Sequence, residues 1–267
     1  MCGRYILAQK LETIEKRFNI KAPDVELTPS YNISPGCIAP VIVNQDKKEL
    51  RLFRFGLTPF WAKKPMYLFN ARSEGDRNKA NDPTYKGSRD IINKPAFRKP
   101  IRSKRCLVIA DAFIEGTTKD GLKKPFLVYL RNKERPFSFA GIWDEWKNEK
   151  TGGVDYGFSI ITTTANSLLQ KFPHHRSPVI LSKKDEQKWL RKNLSLSDVT
   201  SLLEPYPSEL MNAYPISEEI KNPKNNNLKL IQPLGQTIEK ENAYKNTTYL
   251  ELQGMGSGKK RNIELKN

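Results

Sequence analysis

Four apolar runs of strand length follow one another through the middle of the chain. CLVIADAF, PFLVYLR, FSFAGIWDEW and YGFSIITTTA are rich in β-branched and aromatic residues, a composition typical of β-strands. Predicted strands outnumber predicted helices and cluster in this region. The pattern predicts an α+β fold, with a single domain built around a strongly curved, mainly antiparallel, barrel-like sheet and a few flanking helices.

The segments before and after this region also predict strands and helices. Residues 4–8 and the runs IAPVIVN and RLFRFGL predict further strands. Leu11, Ile14 and Phe18 have the i, i+3, i+7 spacing of an amphipathic helix. Ser182, followed by an acidic residue three positions on, predicts the start of another helix.

Two segments are polar and basic. Residues 72–105 hold 11 Lys and Arg against 4 Asp and Glu and predict a long surface excursion. Residues 254–267 predict a disordered basic tail. With no internal repeat, the chain divides into one expected domain over 1–235 and a C-terminal extension over 236–267.

Composition limits the compartment and the partner. Cys2, Cys37 and Cys106 are odd in number and lack CxxC spacing, so neither a disulfide framework nor a zinc site is expected. No apolar run approaches the roughly 20 residues of a membrane span, and the expected location is cytoplasmic. The net charge of +17 favours a polyanion, usually nucleic acid. A lysine-rich surface that only maintains solubility is the alternative.

The N-terminal residues Met-Cys-Gly-Arg are the most informative for chemistry. Removal of Met1 would give Cys2 a free α-amine next to its thiol. The amine titrates near ~8 and the thiol near ~8.5, so both reach nucleophilic forms close to neutral pH. Such a 1,2-aminothiol converts an aldehyde first to an imine and then to a thiazolidine ring. Cys2 could equally be an ordinary small residue at a first strand.

Two polar positions follow apolar segments. Asn70 can accept from an ammonium and donate to an oxyanion, and Arg72 suits a phosphate; a turn at a strand end is the alternative. Glu115 follows a buried strand, where desolvation would raise its pKa and make it a general acid. Asp111 competes for that role, and a surface carboxylate is the alternative for either residue.

The only two histidines are adjacent, and aromatic residues flank a loop. His174 and His175 lie in a Pro-bracketed segment beside an Arg, and histidine is the commonest proton shuttle. Phe55, Phe60 and Trp61 flank the FGLTPFW loop and could stack on unpaired bases. Core packing is the alternative for these three aromatic residues.

A series of motifs along the chain resembles the SRAP family of abasic-site-processing proteins. In chain order they are MCGRY, PSYNISPG with APVIV, FGLTPFWAK, NARSE, RCLVIADAFIEG, FAGIWDEW, TTTAN, HHRSPVIL and KKDEQKWL. The resemblance covers about residues 1–235. It implies that Cys2 crosslinks to DNA and that Asn70 positions the α-amine and the opened sugar. It also implies that Glu115 is the catalytic glutamate and His174 the active histidine, with His175 pointing away from the site.

The resemblance further implies a DNA-binding surface. Arg4 and Arg72 match phosphate-contacting arginines, and Pro40 and Trp61 fall in segments that border DNA. The implied partner is single-stranded DNA containing abasic sites, bound by a monomer that associates with the nucleoid. No metal, organic cofactor or membrane is implied, and no protein partner is identified. The "peptidase" of the family name is expected to describe removal of Met1.

The sequence departs from the family pattern at three positions. Phe55 stands where the family usually has Trp, Gly116 where it has an aromatic residue, and Ser177 where it has Met. Two other functions stay open. The start MCG also resembles class II glutamine amidotransferases, whose N-terminal Cys hydrolyses glutamine, and a non-catalytic module that binds single strands would also suit the charge.

Overall fold

The computed structural model describes residues 2–22, 26–45, 47–131 and 135–241. Met1 and the tail predicted over 254–267 lie outside these ranges. No helix within them is long and apolar enough to cross a membrane.

Strands dominate the described residues. They are β1 (Arg4–Leu7), β2 (Ser30–Ile33), β3 (Ile38–Asn44), β4 (Lys48–Phe55), β5 (Asn70–Arg72), β6 (Arg105–Ala110), β7 (Ala112–Thr117), β8 (Gly121–Leu130), β9 (Phe137–Lys147), β10 (Val154–Thr164), β11 (Arg176–Pro178), β12 (Ile180–Leu181) and β13 (Met211–Pro215). The α-helices are α1 (Leu11–Phe18), α2 (Pro100–Ser103), α3 (Ser167–Lys171), α4 (Lys183–Trp189) and α5 (Leu196–Ser201). Short 3₁₀ turns span Asp90–Asn93, Ser208–Leu210, Glu218–Lys221 and Leu228–Ile231.

Five strands close into a barrel. They run in the order β10, β4, β3, β6, β9, and β9 pairs back onto β10. The β10–β4 pairing is parallel and the other four are antiparallel. A second, antiparallel sheet has the order β13, β8, β7, β1, β2. The predicted α+β class, with a strongly curved and mainly antiparallel sheet, is confirmed.

The first strand is fixed between the sheet and the barrel by one aromatic side chain. Tyr5 of β1 is fully buried and meets Phe55 and Phe139 edge-on, with ring centroids 5.6 and 6.0 Å apart. Edge-to-face pairs contribute about 0.5–1.5 kcal/mol each beyond their buried area. This packing holds the chain just before β1, where Cys2 lies, against the barrel.

The local predictions at two helices are confirmed. α1 buries Ile14 and Phe18. α4 begins after Ser182, whose side chain accepts from the Asp185 backbone N–H, as an N-cap residue does.

The predicted surface excursion over 72–105 is only partly at the surface. Glu74, Ile91 and Ile101 are fully buried. Glu74 tolerates burial because its carboxylate accepts from Arg176 at 2.8 Å. A high density of charge therefore did not mark a solvated loop, because part of that charge is paired inside the protein.

Residues after the predicted boundary at 235 continue to pack. The Ile238 backbone N–H donates to Ala213 O of β13 at 2.8 Å. The Tyr129 hydroxyl donates to the Glu241 carboxylate at 2.5 Å. The division of the chain at residue 235 stays a prediction.

Candidate active site

Cys2 lies two residues before the start of β1 and is completely buried in the main core cluster. Burial raises the pKa of its thiol well above the ordinary value, and the neighbouring Glu115 carboxyl raises it further. The thiol is therefore protonated at neutral pH. This differs from the expectation that both groups of the aminothiol approach their nucleophilic forms unaided, and it means that the thiol needs a base.

Asn70 begins β5 and contacts Cys2 directly. β5 runs parallel to β10, with Asn70 opposite Ile160. The Asn70 Nδ2 donates to Cys2 O at 2.9 Å and to Phe69 O at 3.1 Å. Because both partners are carbonyls, the amide nitrogen must face them. The Asn70 Oδ1 is buried without a hydrogen-bond partner, so it offers an acceptor to an ammonium or hydroxyl donor.

Glu115, on the central strand of the second sheet, forms a buried pair with His174, which lies in the loop between α3 and β11. Glu115 belongs to β7 and is 3 % exposed, and its Oε2 lies 3.2 Å from His174 Nε2. The His174 Nδ1 is 2.7 Å from Gly116 O. A carbonyl only accepts, so Nδ1 carries the hydrogen. In a neutral ring, Nε2 then presents a lone pair to Glu115.

The proton between them therefore belongs mainly to the carboxyl. Burial raises the pKa of Glu115 to about 7, whereas burial lowers the pKa of His174 to about 3. Between these two values the main form of the pair is a protonated carboxyl donating to a neutral imidazole, and near pH 7 part of the carboxyl is ionised. This arrangement supplies an acid and a base in one contact.

Asp111, the alternative acid, has a different place. It separates β6 from β7, is fully buried, and its Oδ2 accepts from the Ala8 backbone N–H at 2.7 Å. Burial raises its pKa to about 6. Asp111 does not line the cavity beside Glu115 and His174, so it holds the chain after β1 rather than serving the site.

An open cavity of about 360 Å³ adjoins the pair, within the range of about 300–1,000 Å³ of small-molecule sites. Gly3 and Phe69, the chain neighbours of Cys2 and Asn70, contribute to its wall. It is lined by Gly3, Arg4, Pro35, Phe69, Ile114, Glu115, Gly116, Thr117, Thr118, Gly121, Leu122, His174 and His175. Among the described residues, no group of three or more His, Cys, Asp or Glu side chains is arranged to hold a metal ion.

His175 does not point away from this site. It lines the same cavity, and its ring stacks on His174 with centroids 5.3 Å apart and an angle of 26° between the planes. The expectation from the sequence was wrong because the loop before β11 is irregular. Alternation of side chains between two faces applies only within a strand.

The two predicted phosphate-binding arginines are both partly engaged within the protein. Arg4 lines the cavity, and its Nη1 and Nη2 donate to Asn32 Oδ1 and Lys221 O, each at 2.6 Å. The Arg72 Nη2 donates to Asn78 O and to Asn81 Oδ1. These contacts fix both guanidinium groups near the site.

Sequence reasoning missed an arginine cluster around Glu74. Arg176, two residues after His174, is 1 % exposed and donates to Glu74 and to Thr162 Oγ1. Arg89 Nη1 lies 3.8 Å from Glu74 as well. Arg176 and Arg89 therefore share the Glu74 carboxylate. The positive charge of Arg72 also lowers the pKa of Arg176. The signal was present in the HHRSP segment, but only the paired register of β11 with β10 shows that Arg176 faces inward.

Pro40 and Trp61 lie elsewhere. Pro40 lines a separate cavity of about 250 Å³ with Cys37 and Leu52. Trp61 is 48 % exposed, and its Nε1 donates to Pro95 O at 3.3 Å. Neither residue lines the cavity beside Glu115.

The aromatic residues of the FGLTPFW loop divide into core and surface. Phe55 is fully buried and stacks on Phe158, with centroids 5.1 Å apart. Phe60 is about half exposed, with the Lys99 ammonium 4.2 Å from its ring centroid. Of the three aromatic residues, Phe60 and Trp61 are available for stacking and Phe55 is not.

Comparison with known proteins supports the resemblance. Residues 1–223 match the family described as SOS response associated peptidase (SRAP). The chain belongs to this family. It is 37% identical over 240 residues to the abasic site processing protein YoqW of Bacillus subtilis (strain 168), covering 87% of this chain and 99% of that protein. The abasic site processing protein HMCES of Gallus gallus is 29% identical over 243 residues, covering 80% of this chain and 68% of that protein.

A solved structure shares the SRAP fold of this chain. The crystal structure of a protein from Bacteroides thetaiotaomicron aligns with a TM-score of 0.72 at 30% identity, over 87% of this chain and 99% of that one.

The three departures from the SRAP pattern lie at packed positions. Phe55 and Ser177 are completely buried. A Cβ on Gly116 would lie 1.8 Å from Gly121 O, so the close β7–β8 approach excludes any side chain there. The residues at these three positions therefore affect how the core of this chain packs. The contacts of Asn70, Glu115 and His174 are present with these residues in place.

Proposed function

We propose that this protein bonds covalently to abasic sites in single-stranded DNA through Cys2, after removal of Met1, as part of DNA damage repair or tolerance. The observation that carries the proposal is the convergence of Cys2, Asn70 and the Glu115–His174 pair beside one open cavity. The printed names of the SRAP relatives, abasic site processing proteins, agree with it.

The first step opens the abasic sugar. Glu115 donates its proton to O4′ as the C1′–O4′ bond breaks, and His174 Nε2 takes the proton of the C1′ hydroxyl, leaving an aldehyde. The resulting carboxylate and imidazolium stabilise each other in the buried site. Proton transfers of this kind typically contribute about 10²–10⁴-fold in rate.

The second step forms the imine. The Cys2 α-amine attacks C1′, and the proton of the amine moves to the oxygen of the adduct. His174 then returns its proton to the departing hydroxyl, which leaves as water, and the product is the protonated imine. The unpartnered Asn70 Oδ1 is the acceptor that would hold the amine during the attack.

The last step closes the ring. The Glu115 carboxylate takes the proton of the Cys2 thiol, and the thiolate bonds to C1′ of the protonated imine while the C=N electron pair returns to nitrogen, which becomes a neutral amine. The product is a thiazolidine, and both Glu115 and His174 regain their starting protonation. This assignment explains how a thiol whose pKa is raised by burial can still react.

DNA affinity is assigned to the basic surface. With a net charge of +17, binding would come chiefly from phosphate contacts and fall with salt. Arg4 and Arg72 are assigned to phosphates, and Pro40 and Trp61 to the borders of the DNA path. We assign residues 1–235 to the functional domain, acting as a monomer in the cytoplasm and on the nucleoid.

The test is incubation with a single strand containing one abasic site, followed by a denaturing gel. A covalent band that requires the abasic site supports the proposal. The matched control is the same strand without the lesion. A protein that retards both strands equally in a native gel but leaves no covalent band is a binding module instead. Release of glutamate from free glutamine would favour the amidotransferase alternative.

A further inference from the structure

The HHRSP segment contains a second imidazole that the proposed reaction does not use. His175 lines the cavity and stacks on the ring that takes part in proton transfer. Its contacts tie it to the β7–β8 hairpin, which also carries Glu115 on β7.

A hydrogen count fixes the tautomer of His175. The Thr118 backbone N–H and the Thr118 hydroxyl both donate to Pro173 O, each at 2.8 Å. The single hydroxyl hydrogen is thereby used. The 2.8 Å contact between Thr118 Oγ1 and His175 Nδ1 must then be donated by the ring, so Nδ1 carries the hydrogen of His175.

These hydrogen bonds from Thr118 hold the loop that carries both histidines, residues 173–175, and we call them the Thr118 clip. Thr118 holds the loop at Pro173 and at His175, one residue before and one after His174. The His174 ring is then constrained from two sides, by Gly116 O at its Nδ1 and by the His175 ring on its face. Together they set the direction in which His174 Nε2 meets Glu115.

The surroundings keep His175 neutral. Burial lowers its pKa to about 4, and His174, Arg176 and Arg72 act in the same direction. A neutral ring can stack on the neutral His174 without repulsion. The polar and charged side chains that act on His175 come from four places. They are Thr118 of the β7–β8 hairpin, Arg72 of β5, His174 of the loop and Arg176 of β11.

We propose that His175 is a positioning residue, which the Thr118 clip holds as the platform that orients His174 toward Glu115. The proposal rests on the proposed crosslinking function. It predicts that the Thr118 hydroxyl, whose hydrogen bonds go to Pro173 O and His175 Nδ1, controls the rate of crosslinking through His175.

The experiment measures single-turnover crosslinking of the full chain to an abasic single strand across pH 5–9, for Thr118→Val, Thr118→Ser, His175→Ala and His175→Phe. Thr118→Val removes the two hydroxyl contacts at an exposed position, while its side-chain shape and its backbone N–H bond to Pro173 O are kept. We expect a loss of about tenfold in rate, since misplacement by 1 Å can cost about 10²-fold, together with a displaced pH–rate profile. Thr118→Ser should restore both.

The histidine variants separate stacking from hydrogen bonding. His175→Ala should lose at least as much rate as Thr118→Val. Adding Thr118→Val to it should have little further effect, because the Thr118 backbone N–H still holds Pro173 O and the hydroxyl orients His174 through the His175 ring. His175→Phe keeps a stacking face and should fall between His175→Ala and the unsubstituted protein. Affinity for the undamaged strand, measured in parallel, should change little in any variant.

Two results would overturn the inference. One is an unchanged rate and pH profile in both Thr118→Val and His175→Ala. The other is a full additional loss in the double variant. Failure of the proposed function is distinct, because the unsubstituted protein would then form no crosslink at all.

Discussion

At the residue scale, burial acts in opposite directions on the protonation of Glu115 and His174. A buried carboxyl holds its proton more tightly and a buried imidazole loses its proton more readily. The pKa of Glu115 rises to about 7 and that of His174 falls to about 3. Between these two values both groups are therefore mainly neutral, and the carboxyl is the group with a proton to give.

The raised pKa of Glu115 predicts a stability effect. Between about pH 4.5 and 7 the folded protein holds a proton on Glu115 that the unfolded chain releases, so this group's contribution to the free energy of unfolding falls as pH rises through that window. Glu115→Gln abolishes the contribution. The unfolding free energy of the unsubstituted protein minus that of the variant should decrease from pH 4.5 to pH 7, by an amount on the order of 3 kcal/mol.

Urea titrations of both proteins at several pH values measure this difference. Subtracting the variant removes most of the dependence due to Asp111, whose pKa is also raised. A difference that increases with pH would show that Glu115 is ionised in the resting protein.

Cys2→Ala separates the two bonds of the proposed product. Alanine keeps the α-amine and loses the thiol, so an imine can form but a thiazolidine cannot. We expect no stable crosslink on a denaturing gel and a covalent band only after borohydride treatment. An undiminished stable crosslink in this variant would falsify the thiazolidine chemistry.

The candidate residues could be predicted from sequence better than their orientations. Cys2, Asn70, Glu115 and His174 follow from motifs, and the structure brings all four together. The stacking of His175, its contact with Thr118 and the burial of Arg176 could not be predicted. They depend on how the β7–β8 hairpin meets a loop almost 60 residues later.

At the element scale, the segment after β5 folds back onto the strand that precedes it. The Arg72 Nη2 uses both of its hydrogens on Asn78 O and Asn81 Oδ1. Asn81 adopts a left-handed backbone, with φ of 57°. The excursion thus restrains a guanidinium assigned to DNA, a role that its charge content alone did not reveal.

This restraint can be tested without disturbing the turn. Asn81→Gly removes the amide while glycine accepts the positive φ. We expect it to weaken binding to an undamaged single strand, but less than Arg72→Ala does. Arg72→Ala should also flatten the dependence of log affinity on log salt by about one unit.

Lys150→Ala is the control for these two variants, because it removes one charge in the β9–β10 hairpin. It should affect affinity less than Arg72→Ala. Equal effects of Lys150→Ala and Arg72→Ala would mean that only the net charge matters.

At the scale of the whole molecule, the site is built from both sheets. β5 pairs with the barrel strand β10, whereas Glu115 belongs to β7 of the second sheet. Cys2 is packed within the core cluster that includes barrel residues such as Phe139. The site therefore exists only while the barrel and the sheet are docked.

Reactivity and global structure should disappear together. In a urea titration, the crosslinking yield should fall with the same midpoint as the fluorescence of the buried Trp143 and Trp189, as expected for a cooperative unit. Yield is scored by a short pulse of abasic DNA at each urea concentration. Loss of yield at clearly lower urea, before the fluorescence changes, would show that the site opens independently.

The contacts of Asn70 and His174 bear on when the site forms during synthesis and folding. Asn70 meets Cys2 across 68 residues, and His174 meets Gly116 across 58. Contacts this distant along the chain require loop closure, whose entropy cost slows folding. During synthesis Cys2 emerges long before His174. The aminothiol would therefore spend that interval without His174, and the chain would become competent only when folding is complete.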